Sequence, residues 1–172
     1  MFKKQVQQTF ADPRGWRSAG VELRRVASGS FTVVLAQAST VPSFSSGCSA
    51  QWSCRVGRYV IINQTRWLTA SPSRHTHLPL PETTATWWVN HETGHWLGHG
   101  HVYCAGAGRL APVMQQQSKS LQGCRHNSQP ALHAMNAGSA PRSSRLVRPR
   151  QPRVGPGRIA RLGRWRPGAE VG

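Results

Sequence analysis

Residues 91–101 read HETGHWLGHGH, and this stretch decides the interpretation of the whole chain. It contains the pattern HExxHxxGxxH, which makes His91, His95 and His101 candidate metal ligands and Glu92 a candidate base. On a helix, residues four apart lie one turn apart on the same face, so His91 and His95 can bind one metal ion. Glu92 lies about 100° further around the helix, at the edge of the same cleft. The spacing therefore predicts a helical metal site with its own base.

Gly98 explains how a third ligand can reach the same ion. A histidine at position 101 of a continuing helix would point away from the metal. Glycine tolerates the left-handed conformation that ends a helix, so a turn at Gly98 can bring His101 back. Three protein ligands leave a fourth position for water, as in catalytic zinc sites. His99 is an alternative third metal ligand, but the turn at Gly98 and the spacing of the motif favour His101.

The same stretch resembles the zinc signature of the metzincin metallopeptidases, in which a methionine turn runs beneath the metal. Met114, in the sequence PVMQ, is similar to that methionine. The resemblance extends to an uncharacterised metzincin-like domain of secreted proteins from Gram-positive bacteria and covers about residues 2–128. It implies a zinc-dependent endopeptidase that acts on a peptide or protein substrate. One Zn²⁺ ion would be held by the three histidines, with Glu92 as general base toward zinc-bound water.

The chain also departs from the metzincin pattern. Astacin-like members carry a tyrosine shortly after the methionine, whereas Gln115 follows Met114 here. Tyr103 lies near the site in sequence at a position that does not match, so the group that stabilises the oxyanion stays unassigned. The polar residues 71–86 do not map onto the family. A metal-binding relic of the fold that acts only as a binding module is the main alternative to an enzyme.

The net charge of +17 raises the alternative of nucleic-acid or anionic-surface binding. Residues 140–172 contain nine arginines and one acid, and this segment accounts for +8 of that charge. Such an Arg-, Pro- and Gly-rich segment buries little apolar area, which predicts a disordered, solvated tail over residues 129–172. Basic residues elsewhere are scattered, so we expect no specific nucleic-acid partner.

The four cysteines allow three connectivities. Local pairing is the simplest and predicts the disulfides Cys48–Cys54 and Cys104–Cys124, the second of which would close a loop that contains Met114. Cysteine zinc ligands are the competing interpretation, but neither pair has the CxxC spacing of a zinc site. Paired cysteines indicate an oxidising compartment and hence a secreted protein.

The N-terminus has no apolar segment typical of an export signal, and no stretch is long enough for a transmembrane helix. Because an exported protein needs such a signal, we expect the chain to be truncated at its N-terminus.

Apolar periodicity predicts an α+β domain over residues 1–128: a small mixed sheet, an active-site helix and a methionine turn. The expected helices cover residues 2–11, 83–97 and 115–121, and the expected strands cover residues 21–26, 31–36 and 58–63.

Overall fold

The computed structural model describes residues 1–69, 82–130 and 159–162 of the 172-residue chain. The helices are α1 (Phe2–Ala11), α2 (Gln64–Thr69) and α3 (Glu82–Trp96), and two 3₁₀ segments cover Trp16–Ala19 and Ala38–Phe44. The strands are β1 (Glu22–Arg25), β2 (Thr32–Ala36), β3 (Cys54–Val56), β4 (Tyr59–Asn63) and β5 (Ile159–Leu162). The domain is therefore mixed α+β.

The main sheet has three strands in the order β2-β4-β3 and is mixed, as the sequence predicts. β4 pairs in parallel with β2 and antiparallel with β3. Alternate residues of β4 pack into two different hydrophobic cores, because successive side chains of a strand point to opposite faces of the sheet. Val60 and Ile62 pack toward α1 and α3, whereas Ile61 packs on the other face against Val41 of the 3₁₀ segment.

Helix α3 is the central element of the fold. Every residue from Trp87 to Thr93 is buried, so this part of the helix is enclosed on all sides rather than amphipathic. Helix α1 covers one side through Val6 and Phe10, and the sheet covers another. A helix enclosed in this way is held rigidly, which suits a scaffold for side chains that must keep a fixed geometry.

The predicted helix over residues 115–121 is wrong, because the chain forms turns there. Gln115 and Gln117 are both buried, at a spacing of two that does not fit one helix face. Gln115 donates a side-chain hydrogen bond to the carbonyl of Ser120, and Gln117 donates to those of Pro112 and Asn127. The side-chain amides thus satisfy backbone carbonyls that a helix would have satisfied internally.

The structure describes two parts of the segment that the sequence predicts to be a disordered tail. Gln129 belongs to the folded domain, because its side chain donates to Asp12 and accepts a hydrogen bond from Asn90. Strand β5 lies within the segment predicted to be disordered and pairs in parallel with β1. The other residues of the predicted tail, and residues 70–81, lie outside the described part of the chain.

Both predicted disulfides are present, Cys48–Cys54 and Cys104–Cys124. Their sulfur atoms are therefore bonded to each other and unavailable as thiolate metal ligands. Disulfides are typical of proteins that work in an oxidising compartment. None of the helices in residues 1–69 and 82–130 has the length and apolar character that crossing a bilayer requires.

Candidate metal centre

The imidazoles of His91, His95 and His101 converge on one point. His91 and His95 lie one turn apart on α3, and His101 follows the end of that helix. The Nε2 atom of His95 lies 3.2 Å from that of His91 and 3.1 Å from that of His101. Two nitrogens bound to one tetrahedral zinc at 2.0–2.1 Å lie about 3.3 Å apart. The cluster therefore has the dimensions of a metal site, with each histidine offering one nitrogen.

Backbone carbonyls select the tautomer of the two helical histidines. Nδ1 of His91 lies 2.8 Å from the carbonyl oxygen of Val113, and Nδ1 of His95 lies 2.9 Å from that of His99. A carbonyl only accepts, so each Nδ1 carries the single proton of a neutral ring. Each Nε2 consequently presents a lone pair toward the centre of the cluster. Such hydrogen bonds commonly orient metal-ligating histidines.

The three-histidine cluster is better suited to binding a metal ion than to binding a proton. Two lone pairs 3.2 Å apart repel each other unless a cation lies between them. Burial lowers the pKa of His91 to about 3, and the hydrogen bond to Val113 only partly opposes this effect. Burial also lowers the pKa values of His95 and His101. Each of these shifts favours the neutral ring, and neutral imidazoles bind divalent metals.

Gly98 forms the turn that brings His101 to the cluster. Its φ of 95° lies in the left-handed region. The amide of Gly98 donates to the carbonyl of His95, and the amide of His99 donates to that of Gly94. These two bonds define a Schellman motif, a frequent ending of helices at glycine.

His99, the alternative third ligand, lies outside the cluster. Its ring stacks on Trp16 with the centroids 5.1 Å apart, whereas its carbonyl accepts from the His95 ring. His99 thus supports the site through its backbone. A backbone carbonyl leaves no signature in the sequence, so this contribution and that of the Val113 carbonyl could not be predicted.

Met114 lies in a turn over residues 112–115 beneath α3, and several hydrogen bonds fix this turn. The Val113 carbonyl accepts from both His91 and the Trp87 indole, the latter at 3.0 Å. The Met114 carbonyl accepts from the amide of Val102, the residue after His101. The turn is thus hydrogen-bonded both to His91 and to the residue that follows His101, and it fixes the relative positions of these two histidines.

Gly94 permits close contact between α3 and Met114, and sequence reasoning missed this role. A Cβ atom at position 94 would collide with Sδ of Met114 and would lie 2.8 Å from Cζ2 of Trp16. A glycine in the interior of a helix is a usable signal, because it costs about 1 kcal/mol relative to alanine and therefore implies a packing reason.

We expect Gly94→Ala to destabilise the protein by about 1–3 kcal/mol, the usual range for overpacking. At a helical position with free space around it, replacing glycine by alanine would stabilise the protein. The sign of the stability change therefore shows whether the close contact is present. Denaturant unfolding measures the effect. Gly100→Ala is the matched control, because a Cβ atom there has no atom within 4 Å. Equal stability of the Gly94 variant and the wild type would contradict the close contact.

Glu92 follows His91 on α3 and is buried, with 4% of its surface exposed. Burial raises the pKa of its carboxyl to about 8. A nearby divalent cation would lower this pKa again, since opposite charge favours the ionised form. The carboxyl can therefore bind and release a proton near neutral pH, which is the property of a general acid–base group. Tyr103 is 72% exposed and contributes nothing to the buried part of the site.

The fold and the site define a class: a small mixed α+β domain with a three-histidine cluster that can hold a metal ion, and with a buried glutamate next to the first of these histidines in the sequence. The chain belongs to the family described as "Protein of unknown function (DUF3152)", whose model matches residues 1–140. No curated protein and no solved structure matches the chain. The family match spans the whole metal centre and both disulfides.

Proposed function

We propose that the protein is a zinc-dependent endopeptidase of the metzincin type. The observation that carries the proposal is the convergence of three imidazoles, the first of which is followed in the sequence by a buried carboxyl. Three ligands leave a coordination position open, which distinguishes catalytic zinc sites from structural ones. The cluster is also accessible, because His101 is exposed and His95 is half-buried. A purely structural zinc site would be expected to have all its coordination positions filled by the protein and to be shielded from solvent.

Zinc is the metal that suits this donor set best. Imidazole is a preferred ligand of zinc, and zinc accepts tetrahedral geometry readily. The His91 and His95 rings supply lone pairs without losing a proton, because backbone carbonyls hold their N–H groups. When bound, zinc lowers the pKa of a coordinated water toward about 7 and polarises a carbonyl group.

Glu92 performs the proton transfers in this proposal. Its carboxylate accepts a proton from the attacking water and later delivers that proton to the amine that leaves as the peptide bond breaks. Its burial supports the role, since a pKa near 8 without a cation and a lower one beside a cation place the group close to working pH. His91, His95 and His101 hold the metal, and the Val113 carbonyl orients the first of them.

The two disulfides support a secreted enzyme that acts outside the reducing cytoplasm. The resemblance of the Met114 turn to the metzincin methionine turn supports the class, because this turn lies beneath the histidines and is tied to His91 through Val113. The predicted substrate is a peptide or protein.

The proposal is tested by peptide hydrolysis with the full chain, purified under oxidising conditions. We expect the zinc-loaded protein to cleave members of a quenched-fluorescence peptide library. Removal of the metal by a chelator should abolish cleavage, and stoichiometric zinc should restore it. A zinc-loaded, folded protein that cleaves no peptide would contradict the enzyme and favour a metal-binding module.

A further inference from the structure

The third histidine of the cluster has less side-chain support than the first two. Backbone carbonyls accept hydrogen bonds from Nδ1 of His91 and from Nδ1 of His95. The His101 ring contacts Nε2 of His95 through its own Nε2, and in the described part of the chain its Nδ1 has no hydrogen-bond partner. His101 is also exposed, whereas His91 is buried. The position of the His101 ring therefore depends on the backbone that carries it.

That backbone is an irregular segment, residues 99–104, with neither helix nor strand. Its start is fixed by the end of α3 at Gly98. In its middle, the amide of Val102 donates to the carbonyl of Met114 at 3.2 Å. Tyr103 is 72% exposed, so packing of its side chain does not hold the segment. Whether His101 stays in place therefore depends on how the far end of the segment is held.

The Cys104–Cys124 disulfide joins this far end to a well-anchored part of the fold. Cys124 is buried, with 4% of its surface exposed, and packs with Ala111. The carbonyl of the next residue, Arg125, accepts a hydrogen bond from the amide of Ala111 at 2.8 Å. Cys104 follows His101 by three residues, a span of at most about 11 Å of extended chain. The disulfide therefore limits how far the third histidine can move from the other two.

The other links near this end of the segment are weaker or more distant. The amide of Cys104 donates to the side chain of Gln122 at 3.3 Å, and this hydrogen bond is exposed. Further along the chain, the amide of Gly108 donates to the carbonyl of Gly123 at 2.8 Å. Without the disulfide, the loosely held segment would extend toward Gly108. A longer free segment has more conformations, so it loses more entropy when His101 binds a metal ion.

We propose that the Cys104–Cys124 disulfide is a positioning element of the metal centre, which holds His101 near the other two histidines and thereby raises the affinity for zinc. This inference rests on the metal centre of the proposed function but not on peptide hydrolysis. The sulfur atoms supply no ligand, because they are bonded to each other. The disulfide acts by reducing the entropy that the third ligand loses on binding, which is the general advantage of a preorganised site.

The test removes each disulfide in turn from the full chain and measures zinc affinity by competition with a chromophoric chelator. Both cysteines of a pair are replaced, because a thiolate left behind is itself a metal ligand. We expect Cys104→Ala/Cys124→Ala to weaken zinc binding by about 10–100-fold, the range for groups that orient a metal ligand. Cys48→Ala/Cys54→Ala is the matched control and should retain the wild-type affinity, because that pair packs on the face of the sheet away from α3.

A double-mutant cycle separates positioning from a general loss of stability. In a His101→Ala background no third ligand is left to position, so Cys104→Ala/Cys124→Ala should change zinc affinity by no more than about twofold, the usual scatter of such comparisons. An equal loss in the two backgrounds overturns the proposal. Wild-type affinity of the Cys104→Ala/Cys124→Ala protein overturns it as well, as does an equal loss in the Cys48→Ala/Cys54→Ala control.

Insertion of two glycines after Tyr103 decides the question if the disulfide variant does not fold. The disulfide is then retained, but the longer chain between His101 and Cys104 no longer restrains the histidine. We expect zinc affinity to fall by about 10-fold or more, and unchanged affinity of the folded insertion variant overturns the proposal. The loss supports the inference whether or not any peptide is cleaved, whereas a wild type that binds no zinc contradicts the metal centre and this inference together.

Discussion

Glu92→Gln is expected to retain zinc and to lose peptide hydrolysis. Glutamine has nearly the same shape as glutamate but cannot accept the proton of an attacking water at neutral pH. Loss of a general acid–base group lowers the rate by about 10²–10⁴-fold. Zinc should remain bound, because the cluster consists of His91, His95 and His101. The uncharged side chain should also be tolerated, since burial already disfavours the charged form of Glu92.

The measurement is kcat/KM of the zinc-loaded variant on a cleaved library peptide, with zinc content determined on the same sample. Glu22→Gln is the matched control, because Glu22 is an exposed acid paired with Arg24 and should not affect the rate. Wild-type activity of a zinc-loaded Glu92→Gln protein would show that another group performs the proton transfers, and the proposed mechanism would fail.

His101→Ala is expected to weaken zinc binding by more than 100-fold. Loss of a partner that only orients a ligand already costs about 10–100-fold in metal affinity, and removal of a ligand costs more. His99→Ala is the matched control two residues away. Its ring stacks on Trp16, whereas only its backbone carbonyl, which alanine also has, holds His95.

Competition with a chromophoric chelator gives the affinities of both variants. We expect His99→Ala to stay within a few-fold of the wild type, with any loss arising from the missing stacking on Trp16. A larger loss of affinity for His99→Ala than for His101→Ala would mean that the third ligand is misassigned.

The local geometry of the site could be predicted because it depends on short-range rules. The four-residue spacing fixes His91 and His95 on one helix face, and a glycine that adopts φ of 95° explains the return of His101. The disulfides followed from local pairing. Helix α1 and strands β2 and β4 followed from apolar periodicity within one or two residues.

The parts that could not be predicted depend on tertiary contacts. The contact of Gly94 with Met114 and the carbonyl of Val113 involve partners about 20 residues apart. Strand β3 has only three residues, so its alternation of buried and exposed side chains is too short to recognise. The prediction of a helix over residues 115–121 is wrong because buried glutamine side chains there donate hydrogen bonds to the backbone carbonyls of turns.

Zinc content of the purified wild type tests the central claim most directly. The full chain, prepared under oxidising conditions and dialysed against low-micromolar zinc and then buffer, should retain one zinc ion per chain by elemental analysis. Retention, together with loss of the ion in His101→Ala, would establish that the three histidines form a metal centre and would justify the search for peptide substrates. A folded, disulfide-bonded chain that retains no zinc would contradict the metal centre and, with it, the proposed peptidase.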